Sequence, residues 1–504
     1  MKHVSHKIIK GVRNVKARYI GIAAAIGLTA VSFCGCGKKE KDYDVYFFNG
    51  KSEIAESLES VADEYEAETG KKVKVFTVGT SESSETLRSE IKSKDYPTVF
   101  ASNAIGIEEW KSAGFAMDAA EVQNPQLKAL YESIPDSMKL EFEGKGNYGI
   151  PYNIEGYGLI ANKKMLTEIL GIDNIKKFKQ DYKAAGYTEF QDMITSLDSY
   201  IKNGSGKDFT LNGQTYHVRN GKTPYTESLT GVLAIAGAEK WTYGNHYGNF
   251  PISAVYSTVY DVRESEPEKA DQLKKPIIKS LKELEFATNY AAGADGPIER
   301  GSQFVNSTAT GYDQAIQMLA EKKAIFMKNG NWIYSNVQKI SKETAENLIM
   351  LPVKVSFDKS DITADSMTPE KMNRSIPEFV SQYYVINAKA TEEERRDAED
   401  FVYWLNTSEK GLDFIVNDFA FVPFNADENT QLDNPLSNDL IEYKLADDLL
   451  ANPFDAAPAS WGLESYGKYV MEELFVEKEK WSDKQLSEIA DKCIKNWKSG
   501  MEEW

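Results

Sequence analysis

Residues 45–114 alternate short apolar runs with amphipathic stretches, a pattern that few folds accommodate. Residues 45–48 (VYFF) are apolar throughout, as in a strand buried on both faces, and run into Asn49 and Gly50. Ile54, Leu58, Val61 and Tyr65 then recur at helical spacing, which predicts a helix ended by Gly70. Residues 72–77 form the next expected strand, with Val73, Val75 and Thr77 on one face. Leu87 and Ile91 mark a second helix, residues 98–100 a third strand, and another helix runs through Trp110 to Gly114. This order is that of a doubly wound α/β domain with a mainly parallel sheet. Ligands of such sheets bind beyond the carboxyl ends of the strands, which selects Asn49, Gly50, Ser102 and Asn103 as candidates.

A second informative stretch is 313–336, DQAIQMLAEKKAIFMKNGNWIYSN. Ala315, Ile316, Leu319 and Ala320 predict a short amphipathic helix over 312–321, and 324–327 a buried strand. Asn329 and Gly330 are turn residues, and Asn331 is placed to cap a new helix whose first turn holds Trp332. A Trp so placed can offer its apolar face to a ligand beside free helix N–H groups, or it can pack the strand end. These residues alone leave both open.

Residues 1–35 carry six Lys/Arg and no acid, followed by the apolar run 20–33. That is a charged n-region and an h-region of signal-peptide length, too short for a membrane span. The run ends in Phe33, Cys34, Gly35 and Cys36, which resembles a bacterial lipobox with Cys36 as the lipidated residue. Phe33 stands where Leu is usual and Cys34 where a small residue is usual; the alternative is a plain secreted signal. Without 1–35 the charge becomes 53 basic against 77 acidic groups, or −24. Such a surface argues against nucleic acid and anionic lipid as partners. Only Cys36 and Cys493 then remain, so no disulfide framework is expected, and Cys493 lies in a helical core stripe with Leu486, Ile489, Ala490 and Trp497. The length of 504 residues allows two or three domain equivalents.

The helix, short strand and G-x-W at 312–336 resemble a signature of extracellular solute-binding proteins of carbohydrate ABC importers, the maltose-binding-protein-like group. There the Trp stacks on sugar, a role the resemblance gives to Trp332; Asn331 stands where the maltose binder has Pro. Residues 148–163 (YGIPYNIEGYGLIANK) resemble the family's first hinge crossing. Glu155 matches its acidic sugar-binding residue, and a carboxylate suits the task by accepting from two adjacent hydroxyls. Asn153 lies beside it; of the bracketing Tyr152 and Tyr157, one is expected in the cleft and the other in the core. Thr98 replaces the Asp of the family's P-D-x-x-x motif. Thr223, Pro224 and Tyr225 precede an expected helix with Leu229, Val232, Leu233 and Ala236, and resemble a Pro-Tyr pair whose ring stacks on sugar. Trp461 matches in position a late Trp with the same role.

Further along, 207–218 reads as a hairpin turning at Asn212 and Gly213, and 277–290 as a long helix. The aromatic loop of Trp241, Tyr243, His246, Tyr247 and Phe250 either lines a cleft or packs an insertion. Residues 348–355 are the expected second crossing, 381–386 a strand, and Thr391 with Glu394 a capping box. The ordered set implies an α/β, two-lobed, type II periplasmic-binding-protein-like fold with mainly parallel sheets and a cleft at the hinge. One lobe is expected from 44–153 with 349–415, the other from 154–348 with 416–504, after a signal peptide (1–35) and a lipidated tether (36–43). The implied function is capture of a carbohydrate, an oligosaccharide, for ABC permease subunits, by a monomer held to the membrane through its lipid alone. Neither cofactor, metal, nucleic acid nor catalysis enters this reading. Ligand contacts are assigned to Trp332, Trp461, Glu155, Tyr225, Asn49, Ser102, Asn153, Tyr157 and Trp241.

Other chemistries have less support. No HExxH, GxSxG or GxxxxGK[ST] occurs, and the GxGxxG match at 144–149 runs into a strand rather than a helix. A secreted glycoside hydrolase needs two paired carboxylates, and no pair is marked. A polyamine receptor would suit the acidic charge. Tyr383 and Tyr384 resemble the adjacent tyrosines of ferric-iron binders, but neighbours in a strand point to opposite faces.

Overall fold

The structure, a computed structural model, describes residues 41–502 other than 80–82, 105, 143–144, 366 and 459. The expected signal peptide, Cys36 and most of the tether, and Gly144 of the GxGxxG match, lie outside the described residues. The described residues from 43 onward form one compact unit.

The apolar run at its start becomes β1 (Val45–Asn49), which pairs in parallel with β2 (Val73–Thr77) and β3 (Val99–Ser102). Both faces of β1 are covered, which is why it reads as continuously apolar. Phe47 packs with Leu58, Val61 and Tyr65, while Phe48 packs with Leu87, Phe100 and Trp110. The helix Ala55–Thr69 stops at Gly70, whose φ of 73° is the left-handed conformation that glycine adopts without strain. The chain leaves this sheet after β4 (Ile150–Pro151) and enters a second sheet as β5 (Ile154–Asn162).

The second lobe inserts the hairpin β6 (Phe209–Leu211) and β7 (Gln214–Tyr216), turning at Asn212 and Gly213 as expected, with φ of 49° and 75°. It continues through β8 (Leu233–Ala234), β9 (Phe326–Gly330), β10 (Leu348–Leu351) and β11 (Ile376–Val380). Then β12 (Tyr383–Ile386) returns to the first sheet and β13 (Leu449–Leu450) to the second. The strand orders are β2-β1-β3-β12-β4 and β13-β11-β5-β9-β8, with β10 beside β5. In each sheet one strand, β12 or β5, runs against its partners. Those two strands begin at the first two of three crossings, the third lying between β12 and β13.

Four expectations need correction. Residues 348–355 are not a crossing, because β10 pairs with β5 from Leu348–Asn162 to Leu351–Leu159; the chain changes sheet between Val380 and Tyr383. No helix follows Tyr225, since Val232 and Leu233 enter β8 and its backbone bonds. The aromatic loop is two short helices, Lys240–Gly244 and Asn249–Ser253, docked on the second core. Asn331 caps no helix: its amide donates to Ser437 and its carbonyl accepts from Gly156 N–H, fastening β5 to the helix Pro435–Leu445. Tyr383 and Tyr384 do take opposite faces, and both are buried because both faces are covered.

Gly158 lies at the centre of β5, and a Cβ there would run into the Leu351 carbonyl oxygen. Gly158→Ala must therefore part β5 from β10, and a loss of about 1–3 kcal/mol is expected. Urea unfolding of the variant checks this, with Gly296→Ala, at an open position without a left-handed backbone, as the comparison.

Candidate functional site

Carboxyl ends of the first-sheet strands face the edge of the second sheet where β5 begins and β9 and β11 end. At the end of β1 the Asn49 side chain closes a turn, its carbonyl accepting from Lys51 N–H at 3.0 Å and its amide donating to Lys51 O at 2.7 Å. Tyr152 hydroxyl donates to the same carbonyl at 3.0 Å. Lys51 is thereby aimed across the joint, where its Nζ lies 3.0 Å from Glu155 Oε1 and 5.2 Å from the Phe421 ring centre. Asn153 donates to the same Glu155 oxygen at 2.8 Å and accepts from Val422 N–H at 3.0 Å.

Register places the ring that completes this wall. Phe379 in β11 is directly opposite Glu155 in β5, so the two side chains share a face. Trp332 follows β9, half-buried, with its ring 6.1 Å from Phe379 and 5.3 Å from His246. Trp241 lies 5.2 Å from His246 and 5.3 Å from Tyr312. Burial pushes the Tyr312 hydroxyl up to about 12 against the lowering effect of the Trp332 indole. Burial, helped by the Lys328 charge, holds His246 well below its ordinary range, so it sits neutral within the ring cluster.

Phe379 also lines a cavity of about 390 Å³ between the lobes. Ala104, Leu140, Glu141 and Tyr383 come from the first lobe; Tyr260, Arg263 and Asp455 from the second. A volume of this order suits a small ligand. Arg263 Nη2 approaches Ala104 O at 3.5 Å across the cavity's edge. Burial pushes two lining carboxyls, Glu378 and Asp455, each up to about 7, opposed by Lys444 at Glu378 and by Asn452 and Arg263 at Asp455.

Of the residues singled out from sequence, Trp332, Trp241, Glu155 and Asn153 come together. Asn49 and Ser102 lie at the expected strand ends but are engaged internally: Asn49 shapes the Lys51 turn, and Ser102 donates to Asn103 O at 3.1 Å. Tyr157 is fully buried, stacked on His246 at 4.3 Å and donating to Asn452, so neither it nor buried Tyr152 opens to the cleft. Trp461 is a core residue, 3 % exposed, its indole N–H bound to Cys493 O at 2.9 Å and its ring against Trp497. Tyr225 sits by Asn162 at the far end of β5, about 23 Å from Glu155 at about 3.3 Å per residue. Lys164 and Lys322 lie over its ring. Lys51, Phe379, Tyr312 and Arg263 were not singled out; only Lys51, directly after Asn49 and Gly50, had a readable position.

A cleft between two α/β lobes, joined by three crossings and walled by rings beside a carboxylate, is the build of a solute receptor. The chain belongs to the bacterial extracellular solute-binding protein family, whose model matches residues 60–439. The multiple sugar-binding protein of Streptococcus mutans serotype c is 25% identical over 329 residues, 62% of this chain and 64% of its own length, just under two thirds of that relative. Among solved structures, apo RafE from Streptococcus pneumoniae superposes with a TM-score of 0.61 at 18% identity, covering 91% of this chain and 97% of that one. RafE in complex with raffinose gives 0.59 at 17% (91% and 99%), and a chitin oligosaccharide binding protein 0.58 at 16% (91% and 99%). At these identities the likeness establishes the fold.

The Lys51–Glu155 pair is nearly buried, with side-chain exposures of 10% and 13%. Breaking a shielded pair costs more than breaking an exposed one, so Glu155→Gln should cost about 2–3 kcal/mol, and Lys51→Met in the same chain should recover part of it. Urea denaturation of the two single variants and the double variant measures that coupling.

Proposed function

We propose that this protein captures a carbohydrate, an oligosaccharide, by closure of its lobes and delivers it to the permease subunits of an ABC importer. What carries the reading is the wall of Trp332, Phe379 and Trp241 set beside Glu155 at the joint between the lobes. Apolar ring faces match the C–H faces of sugar rings, and directed carboxylate and amide groups match the hydroxyls. The sugar-binding name of the Streptococcus mutans relative supports the same ligand class. No covalent step is required, because micromolar binding needs only about −8 kcal/mol.

In this reading the ligand lies between Trp332 and the interlobe cavity. Glu155 and Lys51 exchange part of their mutual contact for hydroxyls, with Asn153, Asn49 and Ser102 holding the surrounding backbone. Lobe boundaries then follow the sheets, with 44–153 and 381–415 on one side and 154–380 and 416–504 on the other. Residues 1–35 would be removed, and Cys36 would carry a diacylglyceryl group and a further acyl chain, the multiple chains that stable anchoring requires. The protein would act as a monomer on the outer face of the cell membrane.

A thermal-shift panel of mono- and oligosaccharides, spermidine and ferric citrate tests the ligand class. A ligand at a hundred times its dissociation constant adds about 2.7 kcal/mol of stability, a shift of several degrees expected for one sugar class alone. Trp332→Ala should weaken that sugar at least tenfold, about 1.4 kcal/mol, while Trp332→Phe retains most of the affinity. A shift with spermidine or iron and none with sugars overturns the ligand, and conversion of the sugar to products returns the hydrolase alternative. Metabolic palmitate labelling lost in Cys36→Ser tests the anchor.

A further inference from the structure

The sugar-binding reading leaves unused the carboxyls that line the interlobe cavity. Asp136, Glu141, Glu378 and Asp455 line it against two cations, Lys139 and Arg263. Lys139 is paired with Asp136 at 2.6 Å, and Glu141 meets the Tyr260 hydroxyl. Glu378 stands apart: its Oε2 is buried with no hydrogen-bond partner among the described residues. The nearest cation behind it, Lys444 on the helix Pro435–Leu445, already donates to Phe424 O at 2.6 Å and Ala426 O at 2.9 Å. Asp455 accepts from Asn452 at 2.8 Å and feels only Arg263 as a cation, while Tyr157 and Tyr383 face it as neutral hydroxyls. Tyr383 faces Glu378 as well.

A buried carboxylate without a full partner is costly, and the cost is relieved by a proton or by a cation. A ligand that brings a cation into the cavity would supply the partner that the fold withholds. We propose, resting on the sugar-binding reading, that this cavity prefers a sugar bearing a protonated primary amine, a hexosamine oligosaccharide, over its N-acetylated or neutral counterpart.

The rival is a Glu378 that stays protonated and donates to a sugar oxygen, and proton traffic separates the two. Both carboxyls titrate near 7, well above their ordinary range, so below that pH they hold protons. A bound ammonium favours their ionised forms, so amine binding must release protons, and amine affinity must rise from pH 5.5 to pH 7. A protonated donor to a neutral sugar releases none and weakens as pH rises.

The experiment is titration calorimetry of the protein with glucosamine trimer, N-acetylglucosamine trimer, maltotriose and spermidine, at pH 6.5 in two buffers of different ionisation enthalpy. Expected are an affinity for glucosamine trimer at least tenfold above the N-acetylated trimer, proton release with the amine alone, and a ratio falling toward one in Glu378→Gln and in Asp455→Asn. Because the ratio is taken within each variant, a loss of folding cannot imitate it, and the proton count needs no variant. Equal or tighter binding of the N-acetylated trimer without proton release overturns the amine preference and leaves the sugar reading standing. Binding of spermidine with no sugar bound overturns both.

Discussion

The joint between the lobes is made of three passages of the chain tied together by backbone hydrogen bonds, and the rest of the molecule is arranged around it. Tyr152 N–H donates to Gln382 O at 2.8 Å and Ser381 N–H to Asn153 O at 3.2 Å; Ile154 N–H adds a bond to Val422 O at 2.9 Å. One apolar cluster holds Phe47 and Val99 of the first sheet, Ile154 and Val422 at the joint, and Ile160 and Met327 of the second sheet, so bending at the joint has to be accommodated within continuous packing. Asn153 belongs to both structures, tying the crossing to Val422 through one atom and holding Glu155 through another. The Glu155 carboxylate is thus positioned by the element that joins the lobes.

The same joint explains the pairing of Lys51 with Glu155. An ammonium and a carboxylate on opposite lobes attract across a small gap, and shielding from water strengthens the attraction. Sugar hydroxyls can enter such a pair one partner at a time, donating to the carboxylate and accepting from the ammonium. Lys51 is held in this position by the turn that the Asn49 side chain closes.

The first lobe was legible because parallel strands buried on both faces leave apolar runs, and because the helix between them carries its apolar stripe and terminal glycine in plain view. The cleft was less so. Trp332 and Glu155 stand in local motifs that the sequence displays, but Phe379 joins them only through the antiparallel register of β11 on β5, which no local pattern encodes. Trp461 was assigned by position in the chain and Tyr225 by its resemblance to a Pro-Tyr pair. Trp461 opens a π-type helical segment, Trp461–Tyr466, that turns its indole onto Cys493 O and Trp497, and Tyr225 lies at the wrong end of a long strand. Aromatic residues mark core and cleft alike, and only three-dimensional placement separates them.

The most direct test of a hinge that closes on sugar is the distance between the lobes. Cysteines at exposed Lys128 and Lys222, one on each lobe, can carry spin labels for a pulsed dipolar measurement with and without saturating oligosaccharide. The account predicts a broad distribution in the free protein that narrows to one shorter population when the sugar binds. A distribution that does not change at saturation would contradict it.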